Sequence, residues 1–449
     1  MNIVYIHTHD TGCHISPYGY KMPTPNLQRL AENGTLFRQA FTTSPTCSPS
    51  RSAMMTGRSA HQSGMLGLAH HGFKLTDPSR HLPFVLKAHG YETILCGVQH
   101  EFHSAPEQMD EVYSRAISAK YEKHFQWDID NAANVASFLR ERSKDDAPFF
   151  LSYGLFSTHR DFVEADPSDF NPANIHLPEA IPDTPETRKD MADYAATVEI
   201  ADDCVGRVLE GLRSSDISED TVIVFSTDHG LPLPGMKCNL TDSGMGISLI
   251  IDWPGNPAKG QAIDSMVTHL DLFPTFFELA NLEPPKNLQG KSLLPLLNGE
   301  KTALHDAIYG EVTFHAAYEP MRCIRTERYK LIRVFDEDLR RPAANCDDSP
   351  ARRILIEAGW LDNPRPELRL HDLVLDPLEQ QNLAYDPNFL SLRTDLEERL
   401  SIWMEETEDP LLNGVVPRPH DSVVCTREAI DVDGPYEEMR TASCDLISE

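Results

Sequence analysis

A chain of 449 residues, 40% hydrophobic and 24% charged, has room for one large α/β domain and a smaller one, and its make-up is that of a globular enzyme. Its formal charge of −29, from 40 basic and 69 acidic residues, argues against a general nucleic-acid-binding or anionic-membrane surface. No apolar run approaches the roughly 18 residues of a membrane span, and nine scattered cysteines show neither a disulfide framework nor paired metal spacing.

The chain opens on an apolar, β-rich run, Ile3 to Ile6, that ends in His7-Thr8-His9-Asp10-Thr11-Gly12. This start is unlike a basic-then-apolar leader, so a reducing cytoplasm is the expected location, or the periplasm where a leader has been removed. An apolar strand leading into Asp-x-Gly fits the carboxyl end of a central parallel strand, where open α/β sheets place ligands. Asp10 there is either a metal-binding carboxylate or a turn residue. Pro25 to Ala31, capped by Thr24 and ended by Gly34, reads as an amphipathic helix with Leu27, Leu30 and Ala31 in the core.

Cys47-Ser48-Pro49-Ser50-Arg51, closed by Met55-Thr56-Gly57-Arg58, enters a helical turn over Ser50 to Thr56. Cys47 then sits at or near a helix N-terminus, where free N–H groups and the dipole favour an anion. Pro49 suits the first turn, and Arg51 can send its guanidinium to the same anion. A lone cysteine in such a junction reads as a buried thiol; the five-residue set points to chemistry.

Pro83 to Ala88 is a helix closed by Gly90, and the short strand Glu92 to Cys96 leads into Gly97-Val98-Gln99-His100. Asn131 to Arg142 is a further helix. Pro148 to Tyr153 is a buried strand followed by His159; by itself such a histidine is a hydrogen-bonded structural residue. Asp161 to Asp183 reads as a polar surface loop, and Thr187 to Arg213 as one long helix burying Tyr194, Val198, Ile200, Val205, Val208 and Leu212. Thr221 to Thr227 is a continuous apolar strand with Asp228-His229-Gly230 at its tip, an acid placed as Asp10 is. Lys237 by itself reads as exposed. Ile247 to Trp253 is another strand.

After about residue 303 the pattern changes. Ala307 to Val312 and Met321 to Val334 are short strands, and Leu390 to Met404 carries Leu392, Leu396, Leu400 and Trp403 at helical spacing. A small antiparallel sheet capped by that helix is expected, so the chain divides into residues 1–303 and 304–449. The acidic tail from Glu405 reads as an arm on the body or on another subunit.

Cys-x-Pro-Ser-Arg with a following Thr-Gly resembles the signature of the type I sulfatases of the alkaline phosphatase superfamily. Ser59-Ala60-His61-Gln62-Ser63-Gly64-Met65 looks closest to the N-sulfoglucosamine sulfohydrolase (sulfamidase) branch. The resemblance runs from Asn2 to about Ala384. It implies an alkaline-phosphatase-like sandwich: a large mixed, mostly parallel sheet flanked by helices, plus a C-terminal α+β subdomain with a short antiparallel sheet. It implies hydrolysis of sulfate esters or sulfamates, N-sulfated glucosamine among them, with release of inorganic sulfate. The substrate would be a small sulfated sugar or aryl compound, with no nucleic acid or membrane partner, and a homo-oligomer is one open arrangement. In the family a formylglycine-generating enzyme oxidises the cysteine, here Cys47, to an aldehyde whose hydrate is the nucleophile.

By the same resemblance, Asp10, Cys47 as formylglycine, Asp228 and His229 hold a divalent metal, with His9 a further candidate. Calcium is the family norm; two imidazoles leave manganese or another transition metal open. Arg51 holds nucleophile and anion, His159 protonates the leaving group or shares that task with Lys237, and His100 serves as base. All four line the substrate. The chain also departs from the pattern. His9-Asp10 stands where similar sulfatases carry two aspartates, and Val98 stands where they carry a lysine, with Gln99 or His103 the candidates to cover its role. The Asp228-His229 metal pair and the absent lysine at Val98 lean towards a phosphodiesterase or phosphonate monoester hydrolase of the same superfamily, and the sulfamidase-like stretches lean back towards sulfate or sulfamate. An unmodified, non-catalytic anion-binding homologue is the third reading.

Overall fold

The computed structural model describes residues 1–121 and 123–437. An eight-stranded sheet runs, edge to edge, Arg115–Ala116, Glu92–Gly97, Phe149–Gly154, Asn2–Thr8, Thr221–Thr227, Leu249–Asp252, Thr35–Phe37 and Gln261–Ile263. The first five lie parallel; Leu249–Asp252 alone runs antiparallel to its neighbours. Asn2–Thr8, Phe149–Gly154 and Thr221–Thr227 are buried along their whole length, as strands covered on both faces must be. Alternation then splits the core. Val4, Ile6, Leu151, Tyr153, Ile223 and Phe225 face one layer of helices, while Ile3, Tyr5, Phe150, Val222 and Val224 face the other. The first layer includes the helices His124–Glu141 and Pro185–Arg213; the second receives Met54 and Met55 of the helix Cys47–Thr56.

The long helix begins at Pro185, where Thr184 and Thr187 cap each other's backbone N–H groups. The helix expected from Asn131 starts seven residues earlier, at His124, because His124 stacks on Phe156 with ring centroids 3.9 Å apart. The strand expected from Ile247 starts at Leu249: the N–H groups of Ile247 and Ser248 instead meet the Ala40 and Gly12 carbonyls. The loop 161–183 buries Ala165, Leu177 and Ile181, so it is less of a surface loop than its composition indicates.

A second, four-stranded antiparallel sheet follows in chain order: Ala307–Phe314, Tyr318–Thr326, Tyr329–Val334 and Leu368–Asp372. The run expected as one strand, Met321 to Val334, is thus two strands of a hairpin. Helix Leu390–Glu406 packs on this sheet through Leu396, Leu400 and Met404. The tail then lies on the body, with the Val423 N–H on the His71 carbonyl and the Cys425 N–H on the Ala316 carbonyl. The acidic residues beyond Glu437 fall outside the described residues. Among the described residues every cysteine is free, and no helix is long and apolar enough to cross a membrane.

Candidate active site

Register decides which side chains meet. His7 lies level with Gly154 and Ser226, and Gly97 with Gly154, so four parallel strands end together. His9 and Asp10, His100, His159, and Asp228 and His229 all leave the sheet at that carboxyl end. Gly97 has φ +77°, and a Cβ there would meet the Gly154 carbonyl oxygen at 2.0 Å; the close approach of these strand tips requires glycine. Asp10 and His100 themselves take positive φ values of 49° and 60°, conformations that side chains adopt mainly where surroundings enforce them.

The helix Cys47–Thr56 is aimed at this end. Thr46, extended, precedes it and Cys47 is its first residue, so the helix starts three residues before the turn expected from Ser50 and Cys47 lies at its N-terminus. Ser50 Oγ donates to the Asp228 carbonyl at 2.6 Å, tying the first turn to the strand tip. Arg51 is buried and donates to Asp228 Oδ2 at 2.9 Å and to the Thr8 carbonyl at 3.2 Å. Its other terminal nitrogen lies 2.5 Å from Nδ1 of His7, which must accept because a guanidinium only donates.

Asp228 Oδ1 accepts the backbone N–H groups of Asp10 (2.8 Å) and His229 (2.9 Å). Oδ2 is left facing Arg51, His9 Nδ1 at 3.3 Å and His229 Nε2 at 3.7 Å; the last also lies 3.4 Å from Asp10 Oδ1. His229 Nδ1 sits 3.1 Å from the Gly230 carbonyl, which can only accept, so the proton is on Nδ1 and Nε2 turns a lone pair towards two carboxylate oxygens. Both ring nitrogens of His9, Asp10 Oδ1 and His229 Nε2 are buried without a hydrogen-bond partner. His9, Asp10, Cys47 and Asp228 each offer a donor atom within 4.8 Å of the others, and His9, Cys47 and His100 form an overlapping set. Buried, unpaired lone pairs facing one another are costly unless a cation lies among them, so this donor set fits a metal ion.

Electrostatics agree with that arrangement. Burial works against ionisation of Asp228, while the Arg51 guanidinium and the Asp10 N–H favour its carboxylate. Burial, reinforced by Arg51, keeps His9 and His100 neutral, far below the ordinary imidazole value. Burial also pushes the Cys47 thiol well above its usual value, so the sulfur is protonated and a poor nucleophile.

Lys237 is buried, contrary to its exposed reading. Its Nζ donates to Asp10 Oδ2 at 3.0 Å and to Asp347 Oδ1 at 3.1 Å. His159 Nδ1 donates to the Arg160 carbonyl, 2.5 Å away, and its ring packs edge-on against His9 at 5.6 Å. Asp128 fixes this strand tip by accepting the Phe156 and Ser157 N–H groups at 2.7 and 2.8 Å. Neither candidate for the missing lysine's role reaches the donor cluster. Gln99 spends its Oε1 on the N–H groups of Glu101 and Phe102, and the ring of His103 lies edge-on to that of His70, 6.2 Å away.

Every site residue read from the sequence is therefore placed at one end of the sheet. The residues that reading missed are His70, which stacks on His100 at 5.7 Å, and His315 and Asp347 from the second part of the chain. Asp347 forms a third donor set with Asp10 and His159. It lies in irregular structure after the turn Ala343–Asn345, where no periodicity marks a position. His7 carried the one available signal, a polar residue inside an apolar strand.

Comparison with known proteins agrees with the geometry. Residues 1–282 match the model of the Sulfatase family, and residues 237–341 match that of the N-sulphoglucosamine sulphohydrolase C-terminal region. Human N-sulphoglucosamine sulphohydrolase is 30% identical over 86% of this chain and 86% of its own. Among solved structures, a protein in complex with its substrate D-glucosamine-2-N,6-O-disulfate superposes with a TM-score of 0.70 at 19% identity, covering 91% of this chain and 98% of that one. The phosphonate monoester hydrolase of Agrobacterium radiobacter gives 0.70 at 19% identity, covering 93% and 100%. These two likenesses establish the alkaline-phosphatase-like fold, and the family matches carry the rest: the chain belongs to the sulfatase family of sulfuric ester hydrolases.

Proposed function

We propose that this chain is a formylglycine-dependent sulfatase that releases inorganic sulfate from a small sulfated compound, as an ester or a sulfamate. The observation that carries the reading is the meeting of donor atoms of His9, Asp10 and Asp228 with Cys47, the first residue of the helix, while the unpartnered Nε2 of His229 lies 3.4 Å from Asp10 Oδ1. A formylglycine-generating enzyme is the partner that would convert Cys47, supplying a hydrated aldehyde where the buried thiol is inert. Asp10, Asp228 and His9, with His229 beside them, would hold a divalent cation, which would supply Lewis acidity. Calcium, the ion implied by resemblance, prefers an all-oxygen shell; two imidazoles favour manganese or another transition ion.

The remaining roles follow from the chain's own groups. Asp10, Asp228 and Asp347 against Arg51 and Lys237 leave one net negative charge, which a divalent ion turns into one positive charge, the sign an anion needs. The helix N-terminus at Cys47 adds backbone N–H groups on the same side. Arg51 and Lys237 hold the tetrahedral anion. His159, its Nδ1 fixed on the Arg160 carbonyl, presents Nε2 for proton delivery to the leaving group. His100, neutral, is suited to act as base. We place the boundary between the two parts at residues 303 and 304, so Lys237 is held from both.

The rival reading, a phosphodiester or phosphonate hydrolase, is favoured by the Asp228-His229 pair and by Val98. Side-by-side turnover separates them. The metal-loaded, converted protein is expected to release sulfate from glucosamine N-sulfate or 4-nitrophenyl sulfate faster than it cleaves bis-4-nitrophenyl phosphate. A preference for the phosphodiester would overturn the proposal.

A further inference from the structure

Asp347 is anchored more firmly than its irregular surroundings imply. Asn345, two residues before it, accepts the Ala317 N–H at 2.8 Å and donates to Glu319 Oε2 at 2.7 Å, and Arg352 donates to the Cys346 carbonyl at 3.0 Å. These bonds lock the Asp347 loop to the turn that carries His315. Asp347 Oδ1 is used by Lys237, but Oδ2 is buried with no partner, and so is Nδ1 of His315. A buried carboxylate oxygen without a donor is a costly feature that native structures retain for a reason. Its position supplies one. The Asp347 carboxylate shares a donor set with His159 and not with Cys47, which puts it on the leaving-group side of the reacting anion as the proposed function orients it.

We propose that Asp347 is a specificity-determining residue: its Oδ2 accepts a hydrogen bond from a hydroxyl or amine of the leaving group, selecting sugar sulfates or sulfamates over aryl sulfates. His315 complements it. Burial, together with Lys237, keeps this imidazole neutral, so it offers one N–H and one lone pair. A carboxylate and a neutral imidazole on one wall match a sugar hydroxyl, which both donates and accepts. An aryl leaving group has no donor and would leave Oδ2 unpaired, and sites built around such a bond discriminate strongly against analogues that lack it.

This inference rests on the sulfatase reading, and one experiment tells their failures apart. Inorganic sulfate release from glucosamine N-sulfate and from 4-nitrophenyl sulfate is measured for the converted, metal-loaded wild-type protein, Asp347→Ala, Asp347→Asn and Lys237→Met. Circular dichroism establishes the fold of each, and Asp347→Asn, of unchanged shape, carries the comparison if the alanine variant does not fold. Both Asp347 variants are expected to lose at least tenfold more kcat/KM on the sugar than on the aryl substrate. Lys237→Met, which leaves Oδ2 in place, should depress both substrates by a similar factor. An equal loss on both substrates in the Asp347 variants, or none, overturns the specificity role while the sulfatase reading stands. A wild-type protein that releases sulfate from neither substrate overturns that reading and this inference with it.

Discussion

Asp228 Oδ1 is used up by two backbone N–H groups, so a single carboxylate oxygen confronts Arg51, His9 and His229. On the proposed function, His9 brings a nitrogen to the cation where an aspartate would bring oxygen, so it bears on metal choice. His9→Asp is expected to raise affinity for calcium relative to manganese by about tenfold or more, because calcium favours oxygen donors and manganese accepts imidazole. Competition between the two ions, followed by metal analysis of the recovered protein, checks this; an unchanged ratio would show that His9 is not a ligand. The strand tips were legible in the sequence as apolar runs ending in Asp-x-Gly and Asp-His-Gly, although Asp10 by itself read equally as a turn residue. The conflict of lone pairs that calls for a cation was not, since it depends on which nitrogen of His229 the Gly230 carbonyl occupies.

The short helix Ala60–Ser63 ties the catalytic sheet to the second sheet. His61 Nδ1 is 3.0 Å from Glu311 Oε2 and its Nε2 is 3.2 Å from the Thr407 carbonyl; both partners only accept, so both nitrogens carry protons. Burial opposes that charge, but the charge and hydrogen bond of Glu311 raise the His61 pKa above its ordinary 6.5, while His61 and Arg322 overcome burial to lower Glu311 from 4.5 to about 2. The stabilisation from His61 is complete below 6.5 and is lost as pH rises through its raised value. That from Glu311 is complete above 4.5 and lost as pH falls through about 2. His61→Gln should therefore cost most between pH 4.5 and 6.5, about 3–5 kcal/mol for a broken buried pair, and less in alkaline solution. Urea unfolding of both proteins across that range measures it; a difference independent of pH would contradict the charged pair. The sequence marked this stretch as sulfamidase-like, but its partner lies 250 residues away and no local pattern links them. Helix cores and strand interiors were readable from periodicity. The early start at His124 was not, because an aromatic stack from another segment extends the helix.

At the scale of the whole molecule, a charge of −29 surrounds a centre at the sheet's carboxyl end that the proposed divalent ion would make positive. Long-range repulsion should hinder the approach of an anionic substrate, and salt should relieve it. Raising inert salt from about 10 to 150 mM shortens the screening length from about 30 to 8 Å and is expected to raise kcat/KM by about two- to fivefold. Steady-state rates at fixed pH decide the sign: a fall would mean that the local positive site governs encounter. The second part of the chain, whose sheet and helix were foreseen, also contributes Asp347 and His315 to the centre, a role that irregular segments do not advertise. The proposed reaction depends on residue 47, where the aldehyde is about 18 Da lighter than the thiol. The direct test is sulfate released per mole of protein across preparations with different fractions of converted Cys47, read by peptide mass. Release proportional to the converted fraction is the predicted result; release independent of that fraction, or none at full conversion with metal bound, would contradict it.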